Sequence, residues 1–320
     1  MSEFLLIKKE LEKAESIVIL NHVNMDGDAV GSAFSLASVL SRAGKNVKVA
    51  IEDDPPEYLK GLCDDYIKES DEVFDLAVSV DCGDEMRLGK RRGIFDSAKR
   101  TVCIDHHVSN EGFADVNLIR AEASSTSEIV FEFIKYIGAN ITPREANQLF
   151  AGIITDTGGF KYSNTTPECF SISGELLKAG ADINSVCIEI YESNSLSKLK
   201  LKSRCLDSIK LYAGGKISGS VITKRDFKKT GAKESDCEGF SQIGRGIAGV
   251  EASYSITAYK NVKVSLRSKR YVDVAKIAAS FGGGGHKRAA GFSLPEGTNI
   301  KKLEKKLIDM LTEEVEKENL

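Results

Sequence analysis

Along the first 105 residues, short and almost unbroken apolar runs alternate with stretches whose apolar residues recur at helical spacing. The runs are residues 16–21 (SIVILN), 46–51 (NVKVAI), 75–81 (DLAVSVD) and 101–105 (TVCID), a texture that suits parallel strands buried on both faces. Between the first two, GSAFSLASVLSRAG has helical spacing and stops at Gly44, so strand, helix and strand follow in βαβ order. Further helices are predicted at 124–138, stopped by Gly138, and at 143–154, with Thr142 as N-cap and Pro143 in the first turn. The pattern predicts an α/β first domain with a mostly parallel, Rossmann-like sheet.

Helical spacing continues from about 168 to 208, and then the texture changes. Residues 209–224 and 250–268 read as antiparallel strand pairs turning at Gly214-Gly215 and Lys260-Asn261. Helices are predicted at 272–280 and, charged and amphipathic, at 299–317. The division expected is 1–190 for the first domain, 191–208 for a helical linker, and 209–320 for a smaller α/β domain with a mixed or antiparallel sheet.

Composition narrows the partners more than the fold. The formal net charge of -3 leaves no global basic field to attract duplex nucleic acid, so any nucleic-acid ligand must be short and held by local groups. No apolar run reaches membrane-spanning length, and the opening MSEFLLIKKELEKAES reads as an amphipathic helix without a signal peptide's apolar centre. The seven cysteines are scattered with no C-x-x-C pair, which fits reduced thiols. A cytoplasmic chain with no membrane partner is expected.

Histidine and aspartate carry the chemistry. His22 begins H-x-x-x-D-x-D in NHVNMDGDAVGS, directly after the first strand, where the carboxyl edge of a parallel sheet forms its usual ligand crevice. Asp26 and Asp28 flank Gly27 and could face two neighbouring metals from one loop, the alternative being a solvated turn before a helix that Asp28 helps to cap. The third strand ends in VDCGD and the fourth in IDHH, bringing Asp81 and His106 to the same edge from distant parts of the chain. Asp156, in GIITDTGGF, is the sixth candidate ligand. Imidazole and carboxylate ligands without a thiolate suit manganese, with cobalt or magnesium as substitutes, better than a closed structural zinc site.

In their order and spacing, HVNMDGDAVGS, VDCGD, IDHH and TDTGGF resemble the four motifs of the DHH phosphoesterase superfamily. The resemblance implies two divalent metal ions: one on His22, Asp26 and Asp81, the other on Asp28, Asp81, His106 and Asp156, with Asp81 bridging. It implies that Asp105 orients the histidines and that His107 faces the scissile phosphate. Met25 stands where the family often has proline, a departure beside the ligands. FGGGGHKRAAG at 281–291, with VSLRS at 264–268, is similar to the DHH-associated domain of the nanoRNase/pAp phosphatase (NrnA-type) branch. That likeness implies substrate contacts from Arg267, His286 and the glycine loop at Gly283, Gly284 and Gly285.

The activity so implied is hydrolysis of short oligoribonucleotides such as pApA to mononucleotides, or of pAp to AMP and phosphate, by water activated between two metals. A homodimer is compatible with it. The glycine run argues against a manganese pyrophosphatase, whose second domain lacks it. A cyclic-dinucleotide phosphodiesterase would share every motif. A catalytically inactive nucleotide sensor is the competing class, and six retained ligands speak against it, since carboxylates crowded without metal repel one another.

Overall fold

The computed structural model describes residues 2–237 and 239–317, and the chain divides between Ser193 and Asn194 into two compact units.

The first unit holds strands β1 (Ser16–Leu20), β2 (Asn46–Ala50), β3 (Leu76–Val80), β4 (Arg100–Asp105) and β5 (Val116–Ile119). They form one sheet in the order β2-β1-β3-β4-β5, parallel throughout. Every residue of β3 is buried, as its unbroken apolar run requires. β5 was not anticipated: it has four residues, sits at the sheet edge and buries only alternate side chains, so it has no continuous apolar run to announce it. Helices α1 (Glu3–Lys13), α2 (Gly27–Arg42), α3 (Arg92–Ser97), α4 (Thr126–Tyr136), α5 (Pro143–Asp156), α6 (Pro167–Lys178) and α7 (Ile183–Cys187) complete the unit. The strand order reverses at β1 and β3, whose neighbouring C-terminal ends open the crevice that a doubly wound sheet offers to ligands.

The second unit has helices α8 (Leu196–Ser208), α9 (Lys224–Thr230), α10 (Phe240–Arg245), α11 (Val274–Ala279) and α12 (Ile300–Glu316). Its strands are β6 (Lys210–Tyr212), β7 (Ile217–Thr223), β8 (Ala252–Ala258), β9 (Val262–Ser268), β10 (Gly284–His286) and β11 (Ala289–Leu294), in the order β10-β11-β9-β8-β7-β6. The β6–β7 and β8–β9 hairpins are antiparallel, whereas β7 and β8 run parallel, so the sheet is mixed. Its apolar face, with Ile217, Ile256, Leu266 and Phe292, shares a core with Leu303, Leu307, Leu311 and Val315, spaced four apart along α12.

Two segments differ in character from the sequence expectation. Residues 191–208 do not form one continuous helix. The turn Ile188–Glu192 packs on the first unit, where the Tyr191 hydroxyl donates to the Ile154 carbonyl at 3.1 Å, while α8 buries Leu201 and Cys205 against Ile222 and Phe227 of the second. The glycine run is not an open loop either: Gly284–His286 is an edge strand paired with β11. Gly285 has φ +133°, and a Cβ there would lie 2.6 Å from the Ala289 carbonyl oxygen, so close strand approach is what requires glycine.

Candidate metal centre

The exits of β1, β3 and β4 and the facing ends of α2, α4 and α5 supply the site. His22 leaves β1 with its side chain buried. Asp26 caps α2, its Oδ1 accepting the N–H groups of Asp28 and Ala29 at 3.1 Å each. Asp28, the second residue of the helix, reaches across to α4, where Oδ2 accepts Thr126 N–H at 2.7 Å and Oδ1 accepts Ser127 N–H at 2.8 Å. Asp81 follows β3 with φ +54°, a left-handed backbone that costs a non-glycine residue about 1–3 kcal/mol and that surrounding structure must hold. Asp156 is the last residue of α5, and its Oδ2 accepts Asn164 Nδ2 at 3.2 Å.

Asp81 is the centre of the arrangement. Its Oδ2 lies 3.6 Å from His22 Nε2, and its Oδ1 lies 3.7 Å from His106 Nε2. Asp26 Oδ1 is 3.8 Å from His22 Nε2, closing a triad on one side. On the other side His106 Nε2 is 3.6 Å from Asp156 Oδ2 and 4.0 Å from Asp28 Oδ2. These separations are longer than hydrogen bonds, whereas two ligand atoms about 2.1 Å from a shared ion stand roughly 3.0–3.5 Å apart. At 3.6–4.0 Å the donors are too far apart to hydrogen-bond one another and slightly wider than the ligands of one ion, a spacing that small side-chain shifts would close around divalent cations.

Electrostatics points the same way. Burial pushes the Asp156 carboxyl up to about 7, with His106 opposing and Asp26 and Asp81 adding to the rise. Burial, followed by the charge of Asp81, raises Asp28 well above the carboxylate range. Burial also opposes the charge on Asp81, but His22, His107 and His106 hold its carboxyl far below the usual value. For His22 burial is outweighed by Asp26 and Asp81, which bring the imidazole up to about 10; for His106 the carboxylates of Asp156, Asp81 and Asp28 bring it up to about 9. Protons are thus favoured on Asp28, Asp156, His22 and His106, while Asp26 and Asp81 stay ionised, a crowding of like charge that a divalent cation would relieve.

His107 stands apart from the six candidate ligands. Its Nδ1 bonds Asp105 Oδ1 at 2.8 Å, so that nitrogen is engaged even though it lies 3.7 Å from Asp81 Oδ1 and forms a close group with Asp81 and His106. Asp105 orients His107 alone; His106 is steered by the Ala123 carbonyl, 3.3 Å from its Nδ1. Asp105 is itself held by Asn110 Nδ2 at 2.7 Å. Asn110 and Thr126, whose hydroxyl donates to Asp81 Oδ1 at 3.1 Å, were not foreseen. The signal for Thr126 was the run Ser124–Glu128, five polar residues that are all buried.

In the second unit, Arg267 pairs with Ala289 across β9 and β11, and Ala289 pairs with His286 across β11 and β10. Directly opposed residues share a sheet face, so Arg267 and His286 flank Ala289 on one side. Gly283 would place a Cβ 2.2 Å from the Gly291 carbonyl oxygen, whereas Gly284 has nothing within 4 Å of that position. Of the glycines expected to meet substrate, Gly284 has the open approach, and Gly283 and Gly285 are pressed against β11. No helix among the described residues is long and apolar enough to cross a membrane.

Comparison with known proteins gives two domain matches: DHH family, N-terminal domain, over residues 16–153, and DHHA1 domain over residues 218–314. The bifunctional oligoribonuclease and PAP phosphatase NrnA of Thermus thermophilus is 28% identical over 323 residues, covering 97% of this chain and 94% of its own. A Mycoplasma genitalium protein, MG371, is 30% identical over 96% of this chain and 95% of its own. A crystal structure of an exopolyphosphatase-related protein from Bacteroides fragilis superposes with a TM-score of 0.88 at 29% identity, covering 97% of this chain and 95% of that one.

Proposed function

The chain belongs to the DHH family, whose members are phosphoesterases, and on that premise we propose that it is a manganese-dependent hydrolase of short oligoribonucleotides and of pAp. The observation that carries the reading is the double-faced carboxylate of Asp81, one oxygen turned to His22 and the other to His106. His22, Asp26 and Asp81 would hold one cation, and Asp81, His106, Asp28 and Asp156 the other. Such a pair, when bound, supplies a shared water of lowered pKa and neutralises charge on phosphate.

The chain's own groups do the rest. Asp105 fixes the His107 ring, and burial of that imidazole is outweighed by Asp105 and Asp81, which raise its pKa and favour the charged form. With Nδ1 bound to Asp105, Nε2 is the nitrogen that donates to a phosphoryl or leaving-group oxygen. Hydrolysis joins the water oxygen to phosphorus, breaks the P–O bond to the departing nucleoside and returns a proton to the departing oxygen. Arg267 and His286, on one face of the second sheet, would hold a phosphate or terminal nucleotide. The net charge of -3 limits the substrate to short chains gripped locally.

The test is product chromatography after incubation with Mn2+ and, separately, pApA, pAp, a cyclic dinucleotide and pyrophosphate, with Asp81→Ala alongside. Mononucleotide from pApA or AMP and phosphate from pAp, lost in the variant, supports the reading. Turnover of the cyclic dinucleotide alone would assign a cyclic-dinucleotide phosphodiesterase, and a preparation that binds no Mn2+ and hydrolyses nothing would favour a binding protein.

A further inference from the structure

Arg87 lies in the turn that follows β3, and its backbone is fixed on both sides. Its carbonyl accepts Val23 N–H at 2.8 Å, and its own N–H donates to Asp84 Oδ1 at 3.2 Å. This ties the turn to the loop that carries His22. The half-buried side chain then brings Nη2 to 3.0 Å from His22 Nδ1. That nitrogen also lies 2.8 Å from the Val23 carbonyl oxygen. Because His22 Nε2 is the atom that faces Asp26 and Asp81, a neutral ring offering Nε2 to a metal keeps its one proton on Nδ1, donated to Val23. A guanidinium N–H cannot donate to an atom that is already a donor, so His22 does not satisfy Arg87. Nor does Arg87 have a carboxylate ion-pair partner among the described residues, although it borders a cluster rich in aspartate. A guanidinium with a fixed root and no carboxylate partner among the described residues, beside the His22 ring, is placed to bind a phosphoryl group.

We propose that Arg87 is a catalytic residue that touches the substrate: its guanidinium donates to a non-bridging oxygen of the phosphoryl group presented at His22, Asp26 and Asp81. The inference rests on the phosphoester reading above. As the water oxygen joins phosphorus and the P–O bond to the leaving group breaks, negative charge builds on the non-bridging oxygens, and Arg87 stabilises it while keeping its own protons. The planar fork reaches two oxygens at once, which a lysine in its place would not.

The experiment compares manganese-loaded wild type, Arg87→Ala and Arg87→Lys on pApA, with Mn2+ stoichiometry followed by electron paramagnetic resonance and folding by thermal unfolding. Arg87→Ala is expected to lower kcat/KM about 100- to 1,000-fold, the scale for losing one donor to a developing oxyanion. Arg87→Lys recovers only part of this, added guanidinium partly rescues Arg87→Ala, and Mn2+ stoichiometry is unchanged. A kcat/KM within about threefold of wild type, or loss of Mn2+ in step with loss of activity, overturns the proposal; the latter outcome would make Arg87 a support for His22. If wild type cleaves no phosphoester, that reading fails separately, and calorimetric titration with inorganic phosphate decides the role of Arg87. Affinity weakened about tenfold or more in Arg87→Ala sustains it, and equal affinity overturns it.

Discussion

Gly152 of α5 lies so close to Ser127 of α4 that a Cβ added to the glycine would come within 2.0 Å of the serine hydroxyl oxygen. The same Cβ would lie 2.7 Å from Asp28 Oδ1, the oxygen that Ser127 N–H holds. Helix contact and ligand placement are therefore one geometry: α2, α4 and α5 approach closely enough for the start of α4 to cap Asp28. Gly152→Ala should weaken Mn2+ binding and cost about 1–3 kcal/mol of stability, the range for overpacking a core. Thermal unfolding and Mn2+ titration check this. Gly174→Ala is the control, because that helical glycine has nothing within 4 Å of its Cβ position and should gain about 0.5–1 kcal/mol.

Glu145 locks α5 to α2. Its carboxylate, fully buried, accepts Arg42 Nε and Nη2 at 2.9 Å each and the Ser38 hydroxyl at 2.7 Å, while also closing the Thr142 capping box. Burial alone would raise its pKa, but the bonds from Arg42, Thr142 and Ser38 bring it below the usual carboxylate value. Glu145→Ala leaves Arg42 without its carboxylate partner and should destabilise the protein by about 2–3 kcal/mol, at or below the low end for a broken buried pair because Arg42 is 43% exposed. Denaturant unfolding measures the loss.

Asp75 makes stability depend on acid. The hydrogen bond from Lys99, joined by the N–H groups of Ser16 and Glu15, holds its carboxyl far below the usual value. A depressed carboxylate contributes stability that is fully present above its unfolded pKa, about 3.9, and is lost as pH falls through the folded value. Asp75→Asn should lower Tm at neutral pH, and the gap from wild type should narrow as pH is taken below about 4. A gap independent of pH would show that the carboxylate charge is not its source.

The parallel sheet was legible because its strands are nearly continuous apolar runs, and the clustering of the six candidate ligands because they sit at strand ends and helix ends that a parallel sheet brings together. β5 was hidden by its alternating edge pattern. Thr126 and Arg87 were hidden because their contacts cross 45 and 65 residues of chain, which no local motif records, and Asn110, only 5 residues from Asp105, because the sequence does not show its amide turning back onto that carboxylate. The glycine run was recognised as special, but pairing partners that only the tertiary fold supplies made it a strand.

Asp105 should separate chemistry from metal binding. Asp105→Ala frees the His107 ring while leaving the six candidate ligands in place, so kcat on pApA should fall about 100-fold or more, with Mn2+ stoichiometry retained. Steady-state kinetics beside a metal titration makes the comparison; loss of Mn2+ would instead show that Asp105 supports the centre itself.

The central claim is that Asp81 joins two cation sites. The most direct measurement is Mn2+ stoichiometry with the electron paramagnetic resonance spectrum of the loaded protein, in wild type and in Asp81→Asn. Two Mn2+ per chain with a spin-coupled spectrum, reduced in the variant to weaker and uncoupled binding, is the predicted result. A single Mn2+ in wild type, or two coupled ions that persist without the Asp81 carboxylate, would contradict the account.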